Sequence, residues 1–483
     1  MTHVLPVPEP TPFIPGSQTE MDLLIANRHV REGRIMQAMD IAYLVLAREP
    51  NNSGALFTMA WCFIKQDKPA IAYSLLKRSL DTKERHETWN NLGMACLAMQ
   101  KIEEAEECFN ESLKVKPDSW RAINNLALIA VYQTNPAKAI ELASKSLELN
   151  AGWEARETLG YAHLMLGNFE EGWKGYEAML GRAKQRQFAP PYQDCPYWQG
   201  EPNLDLYVAG EQGLGDEISF ASCLPDILRD AKSVAYECHP KLTGLLRRSF
   251  PQVEIHGTRG IIGTRWAKPD KGWRDGREWD AYCLSGTLAA NYRKSEGAFP
   301  GTPYLKADPE RRIQWRALLN ELPGLKVGIA WTGGTNINFK HRRSLALEEC
   351  LPILRTKGIT WVSLEWQDPS TEIDLMDETH GIAIRHWPRA AESDDYDEQA
   401  ALVSELDLVV TVTNSMTHLC GALGVPALVL VPEKPNWFFG LSGRESPWYE
   451  SVEYFRQVDG AWPLAELVER LQALVRSSTR IAA

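Results

Sequence analysis

Residues 207–220 read Tyr-Val-Ala-Gly-Glu-Gln-Gly-Leu-Gly-Asp-Glu-Ile-Ser-Phe, an apolar strand that runs into Gly213-Leu214-Gly215 and an acidic helix start. Glycines at such a turn let the backbone bend sharply and approach a ligand, while the helix N-terminus offers N–H groups that lack intrahelical partners. Asp216 then falls beyond the carboxyl end of a strand, where open α/β sheets carry their chemistry. A second strand, 408–412, leads into Thr413-Asn414-Ser415-Met416-Thr417-His418 and an Ala/Gly-rich helix. Asn414, Ser415 and Thr417 gather an amide and two hydroxyls at a helix N-terminus, a cradle suited to a diphosphate, although an ordinary N-cap uses the same residue types. A third strand, 326–331, ends in Thr332-Gly333-Gly334 and precedes Lys340-His341-Arg342-Arg343. Those cations are able to neutralise a phosphate leaving group, or simply to face solvent.

These turns need strands and helices to hold them. From residue 204 onward, strand candidates at 204–209, 233–238, 253–256, 326–331, 359–364, 382–386, 407–412 and 427–431 alternate with helices that include 216–229, 241–248, 344–356, 395–405 and 417–423. Such alternation predicts parallel sheets with crossover helices. An irregular stretch around 258–303 divides two halves, placed at 204–305 and 306–475, and two Rossmann-like domains facing across a cleft follow from this pattern, which by itself suits a transferase, an epimerase or a periplasmic-type binding protein. The stretch 186–203, rich in proline and aromatics, reads as a linker.

The segment 20–185 resembles itself at a period of 33 to 34 residues. Trp89, Leu92, Gly93, Ala105, Phe109 and Pro117 form its clearest copy, and their spacing matches the tetratricopeptide (TPR) pattern. About five helix pairs follow, stacked as a solenoid whose groove suits a peptide or protein partner, with dimerisation or rigid support for the domain behind it as the alternative. Asn90, Asn91, Asn124 and Asn125 lie on first helices of their repeats and are able to bond a peptide backbone or water.

With 44% hydrophobic and 24% charged residues the 483-residue chain has the composition of a globular protein of several domains. A net charge of −11 argues against nucleic acid as the main partner. Nine scattered cysteines form no metal-ligand or CxxC spacing and suit a reducing compartment, and no run is long enough for a membrane span. The Pro-rich N-terminus, 1–19, is not of signal-peptide type, so a cytoplasmic location is expected.

Read together, Glu211–Glu217, Leu284–Leu288, Phe299–Tyr304, Val327–Trp331 with Arg343-Ser344, Ser363-Leu364-Glu365, Leu406–His418, Gly421–Pro426 and Pro447–Tyr449 resemble one architecture. It is that of bacterial TPR proteins whose C-terminal half is a GT-B glycosyltransferase-like domain, similar to lipopolysaccharide heptosyltransferases and more distantly to O-linked N-acetylglucosamine transferases. The resemblance implies an α + α/β protein, an all-α TPR solenoid followed by a GT-B fold. It implies an inverting, metal-independent transferase with no cofactor, whose co-substrate is a nucleotide-diphosphate sugar, a UDP-sugar first. The acceptor would be a hydroxyl on a protein or peptide chosen by the repeats. By carry-over, Asp216 takes the place of the general base, with Gly213 and Gly215 in the same turn. Arg343, with Lys340 second, takes that of the phosphate-binding lysine. Asn414 and Ser415 fall on diphosphate-binding threonines, with Thr417 beside them, and His418 falls on a ribose-contacting acid. Glu365 stands where relatives carry Gln near the base, and Thr413 replaces an aspartate. No histidine matches the catalytic one of the N-acetylglucosamine transferases; His239 and His256 are near in sequence only. Asp394-Asp395 reads as a helix cap, not a metal motif. Two other readings stay open: a scaffold without catalysis, and transfer to nucleic acid or a lipid-linked glycan, for which the basic, Trp-bearing stretch 259–277 is the motive. Oligomerisation is compatible with either.

Overall fold

A computed structural model describes residues 17–150, 152–178, 195–257, 278–334, 339–391 and 395–482. The stretch 259–277 and Asp394 lie outside the described residues. The chain divides into two compact units after Ala162, inside a helix.

The first unit is a TPR-like solenoid of antiparallel helix pairs: α1 (Gln18–Arg31) with α2 (Ile35–Arg48), α3 (Ser53–Lys65) with α4 (Pro69–Thr82), α5 (His86–Ala98) with α6 (Ile102–Val115), and α7 (Trp120–Tyr132) with α8 (Pro136–Leu149). Small residues set the spacing within a pair. Ala38, Ala72, Ala105 and Ala139 are wholly buried, and a Cβ on Gly93 would lie 2.6 Å from the Phe109 ring. A recurring serine closes each pair. Ser79, Ser112 and Ser146, all buried in second helices, donate to the carbonyls of Ser53, His86 and Trp120, the opening residues of the first helices, at 2.8–2.9 Å. Each bond satisfies a buried hydroxyl and links the end of one helix to the start of its neighbour.

The fifth pair, α9 (Trp153–Met165) and α10 (Phe169–Tyr176), straddles the division. Helix α10 is built into the second unit: Trp173 Nε1 donates to Arg293 O at 2.8 Å, and the Trp173 and Tyr176 rings meet Phe220 and Trp437 edge-on. The solenoid expected over 20–185 therefore gives up its last helix to the α/β core.

The second unit holds two all-parallel sheets. One has the order β3-β2-β1-β4, from β1 (Asp205–Ala209), β2 (Ser233–Glu237), β3 (Glu254–His256) and β4 (Ala281–Leu284). The other runs β10-β9-β8-β5-β6-β7, from β5 (Leu325–Ala330), β6 (Ile359–Ser363), β7 (Ile384–Arg385), β8 (Leu408–Val412), β9 (Ala427–Val431) and β10 (Val452–Arg456). β8 and β9, pure Val/Leu/Ala/Thr runs, are buried along their whole length as central parallel strands require. β4 and β10 were absent from the expected strands. β10 carries Glu453 and Arg456 at an edge, and so lacks a continuous apolar run.

Two helices expected as continuous are broken. The span 216–229 divides into Leu214–Ala221 and Leu224–Asp230, with Pro225 in the first turn of the second. The span 344–356 becomes a 3-10 turn, Leu347–Cys350, and a short helix, Leu351–Leu354, opened by Pro352. Proline lacks the N–H that a continuing helix would need. Asp395 caps the helix Tyr396–Val403, its Oδ1 accepting from Asp397 N at 3.0 Å, as expected of it. The lobes are joined by Arg248, which pairs with Asp397 at 2.6 and 3.1 Å, and by Tyr304, whose backbone N–H donates to Ala422 O at 2.9 Å. No helix among the described residues is long and apolar enough to cross a membrane.

Candidate functional site

Gln212, at φ +62°, turns the chain out of β1 toward the helix Leu214–Ala221. Asp216 is the third residue of that helix, and its Oδ2 accepts from Gly213 N at 2.8 Å. One carboxylate oxygen thus caps the helix and fixes the rotamer of a part-exposed side chain. Gly215 is where the helix meets the other lobe. A Cβ there would lie 2.7 Å from His418 Cδ2 and 3.5 Å from Ser415 Cα, so glycine is needed for the two helix N-termini to meet.

The second lobe contributes three strand exits. Beyond β8, Asn414 caps the helix Ser415–Leu423: its Oδ1 accepts from Met416 N at 3.0 Å and its Nδ2 donates to Thr332 O at 3.1 Å, which fastens the β8 exit to the β5 exit. Ser415 Oγ accepts from Tyr396 OH at 2.9 Å. Beyond β6, Glu365 Oε1 accepts from Trp331 N at 2.6 Å and Thr332 N at 2.7 Å. Burial pushes the Glu365 carboxyl above its ordinary pKa in spite of those two bonds.

Arg343 comes from a single helical turn, Lys340–Arg343. Its Nε donates to Thr413 Oγ1 at 3.2 Å and its Nη2 bonds Thr413 O. A Cβ on Gly333 would lie 2.4 Å from Arg343 O, so the Gly-rich turn after β5 runs directly beside this residue. Burial lowers the Arg343 pKa, while the Asp216 carboxylate across the lobe boundary raises it. The two opposite charges, 127 residues apart in sequence, therefore interact. The other members of the basic run do different things. Arg342 stacks over the Phe339 ring at 4.5 Å, His341 is exposed, and Lys340 is half-buried with its carbonyl accepting from Ser344 Oγ.

His418 is buried where the lobes touch. Its Nδ1 lies 2.8 Å from Ser219 Oγ and 3.2 Å from Tyr449 OH, and those hydroxyls are 2.9 Å from each other. Burial first, and the neighbouring Arg343 cation second, push its pKa down to about 3. The imidazole is neutral at physiological pH.

Of the residues singled out from sequence, Gly213, Gly215, Asp216, Arg343, Asn414, Ser415 and His418 come together at one junction of the lobes. Lys340 is one helical turn from Arg343. Thr417 and Glu365 take supporting positions. The Thr417 hydroxyl is wholly buried and donates to Val412 O at 3.1 Å, and Glu365 is buried with its Oε1 accepting from two backbone N–H groups. His418, which the resemblance sets at a ribose-contacting position, has its Nδ1 against two protein hydroxyls. His239 and His256 lie elsewhere in the first lobe, the former donating its backbone N–H to buried Glu217. Sequence reading passed over Ser219 and Thr332. Ser219 lies four residues after Gly215 and so on the same helix face, which was the available signal.

A family model for the tetratricopeptide repeat matches residues 86–119. Protein FlbA of Caulobacter vibrioides is 29% identical over 454 residues, spanning 88% of this chain and 73% of FlbA. The tetratricopeptide repeat-containing protein trd-1 of Caenorhabditis elegans is 24% identical over 142 residues, 28% of this chain and 18% of that protein. Among solved structures, MamA aligns over 34% of this chain and 96% of its own at 21% identity and a TM-score of 0.28. A thermophilic TPR protein of Thermus thermophilus aligns over 34% and 92% at 19% identity and a TM-score of 0.32. The chain carries TPR repeats in its N-terminal part and parallel sheets behind them.

Proposed function

We propose that the second unit is an inverting, metal-independent glycosyltransferase of GT-B type that moves a sugar from a nucleotide diphosphate to an acceptor hydroxyl. What carries this reading is the contact of the Asp216 helix, through Gly215, with Ser415 and His418 of the other lobe, which brings Arg343 within electrostatic reach of Asp216. An inverting transfer needs a base on the acceptor side of the anomeric carbon and a positive environment on the leaving-group side. Asp216 takes the acceptor proton, its orientation fixed by Gly213 N–H. The departing diphosphate is met by Arg343 and by the N-terminus of the helix Ser415–Leu423. His418, with a pKa near 3 and its Nδ1 in contact with two hydroxyls, is too weak a base for that step. The nucleotide sugar, a UDP-sugar first, is a co-substrate, and a protein or peptide bound by the TPR repeats is the proposed acceptor. A cytoplasmic setting belongs to the same proposal.

The test is hydrolysis or transfer with a panel of nucleotide sugars. With the matched donor, Asp216→Asn is expected to lose on the order of 10²–10⁴ in turnover while still binding nucleotide. Full turnover by that variant would remove Asp216 from the mechanism.

A second reading, a scaffold without catalysis, is favoured by the bonds that Arg343 makes within its own lobe to Thr413 and that Glu365 Oε1 accepts from backbone. Calorimetry with uridine and guanosine diphosphates separates the two, since a scaffold need bind neither.

A further inference from the structure

Trp366 is the one exposed tryptophan among the described residues, at 52%, and among those residues no second ring and no hydrogen-bond acceptor meets it. An indole left this open presents a large apolar face to water, of the kind on which rings and apolar groups dock. Its place in the fold is the carboxyl edge of the larger sheet. β6 ends at Ser363, and Trp366 stands in the bend between that end and the helix Ser370–His380. The edge strand β7 stops with Arg385 opposite Val362, so no further strand among the described residues covers that exit from outside.

The winding of the sheet bears on what docks there. Read from its other edge the order is β7-β6-β5-β8-β9-β10: the chain starts at β5, moves outward through β6 and β7, then returns to β8 and moves outward the other way. The direction reverses between β5 and β8, and a doubly wound sheet takes its ligand in the crevice beyond the carboxyl ends at that reversal. Asn414 Nδ2 spans the reversal by donating to Thr332 O at 3.1 Å. Glu365 Oε1 spans the next gap, from the exit of β6 to the backbone N–H groups of Trp331 and Thr332. The exits of β8, β5 and β6 therefore form one continuous shelf.

The β8 end of the shelf holds Arg343, bonded to Thr413, and the N-terminus of the helix Ser415–Leu423, groups suited to a diphosphate. Trp366 marks the β6 end. Two strand spacings, about 10 Å, separate the two ends, which leaves room for a ribose between phosphate and base. The opposite direction, toward β9, is filled: Phe438 and Phe439, from the loop after β9, are buried and pack with Tyr449 around the His418 ring. A nucleoside joined to a diphosphate at β8 is steered by these contacts toward β6 and its open indole.

We propose, on the nucleotide-sugar reading given above, that Trp366 is the platform on which the base of the nucleoside diphosphate stacks. Stacking uses the π-face that every base has, so Trp366 supplies affinity and leaves the choice of base to other groups. Calorimetry of the full chain with uridine, guanosine and adenosine diphosphates tests it. Trp366→Ala is expected to weaken the nucleotide that the wild-type chain binds by roughly 5- to 150-fold, with an unchanged unfolding midpoint because the side chain is exposed. Trp366→Phe keeps a ring and is expected to retain most of the affinity. Saturating nucleotide is expected to quench the long-wavelength, solvent-exposed part of the tryptophan emission in the wild-type chain and not in Trp366→Phe. A wild-type chain that binds none of the three diphosphates overturns the nucleotide-sugar reading and this inference with it. Nucleotide bound equally well by Trp366→Ala, or quenching that persists in Trp366→Phe, overturns the inference alone.

Discussion

Arg343 is the cation that both lobes address: Thr413 receives its N–H groups and Asp216 supplies the opposing charge. Replacing it with Gln keeps a donor but removes the charge, and transfer is expected to fall by about 10²–10³, measured as kcat/KM with the matched donor. A similar fall in nucleotide affinity would assign the charge to ground-state binding. His418 carries a different consequence. Its pKa in the fold is about 3 against 6.5 for an ordinary histidine. Between those values the unfolded chain holds the proton and the fold does not, so stability is complete above about pH 6.5 and declines as pH falls toward 3. The loss is a few kcal/mol at most. Denaturant titrations at several pH values check it: His418→Gln is expected to be less stable at neutral pH yet to show a shallower decline in acid. An equally steep decline in the variant would place the proton uptake elsewhere.

At the scale of elements, two contacts set the spacing of helices. At Gly215 a Val side chain would enter the space of the His418 ring, 2.7 Å from the position of a Cβ. Gly215→Val is expected to cost about 1–3 kcal/mol by overpacking, read from the denaturation midpoint, whereas the same change at exposed Gly297, which faces open space, costs little. In the repeats, Ser112→Ala removes one of the bonds to the His86 carbonyl, which opens α5, and is expected to cost about 0.5–1.5 kcal/mol; an unchanged midpoint would mean that this bond adds nothing to stability. This serine, at the same place in three repeats, was open to reading from spacing alone, as were β8 and β9 with their continuous apolar runs. The turn chemistry was equally legible: Gly213, Gly215 and the Asn414 cap announce themselves by residue type. What sequence concealed was the company each residue keeps. Thr417 and Ser415 look alike on paper, but helical periodicity turns Thr417 back onto Val412 O and leaves Ser415 half-buried at the lobe junction. Glu365 is drawn to backbone N–H groups thirty-odd residues upstream. Local pattern does not encode such pairings.

At the scale of the whole α/β unit, the lobes are tied by a small set of polar bonds. Arg248 reaches Asp397 with two N–H groups and Asp308 with one, and Asp397 is 6% exposed. Arg248→Ala leaves that carboxylate without its cation, at an expected cost of roughly 2 kcal/mol, less than for a wholly buried pair because Arg248 is part-exposed. Arg248→Met with Asp397→Leu is expected to be milder than Arg248→Ala, since no buried charge is stranded. Urea titration of the three chains decides it, and a double variant worse than the single would show that the pair contributes more than the avoidance of an orphan charge.

The crossing at Gly215 also bears on how such a molecule admits a ligand. Gly215 there lies directly against the His418 ring, and Ser219, His418 and Tyr449 are mutually hydrogen-bonded beside the crossing point. Drawing the lobes straight apart would break both bonds of Ser219 together and expose the imidazole to water. Swivelling one lobe about the crossing leaves them intact and widens the gap in proportion to distance from the pivot. Such a swivel must first release Arg248 from Asp397 and Asp308, so the crossing serves as the rivet of a pair of scissors and that ion pair as its catch.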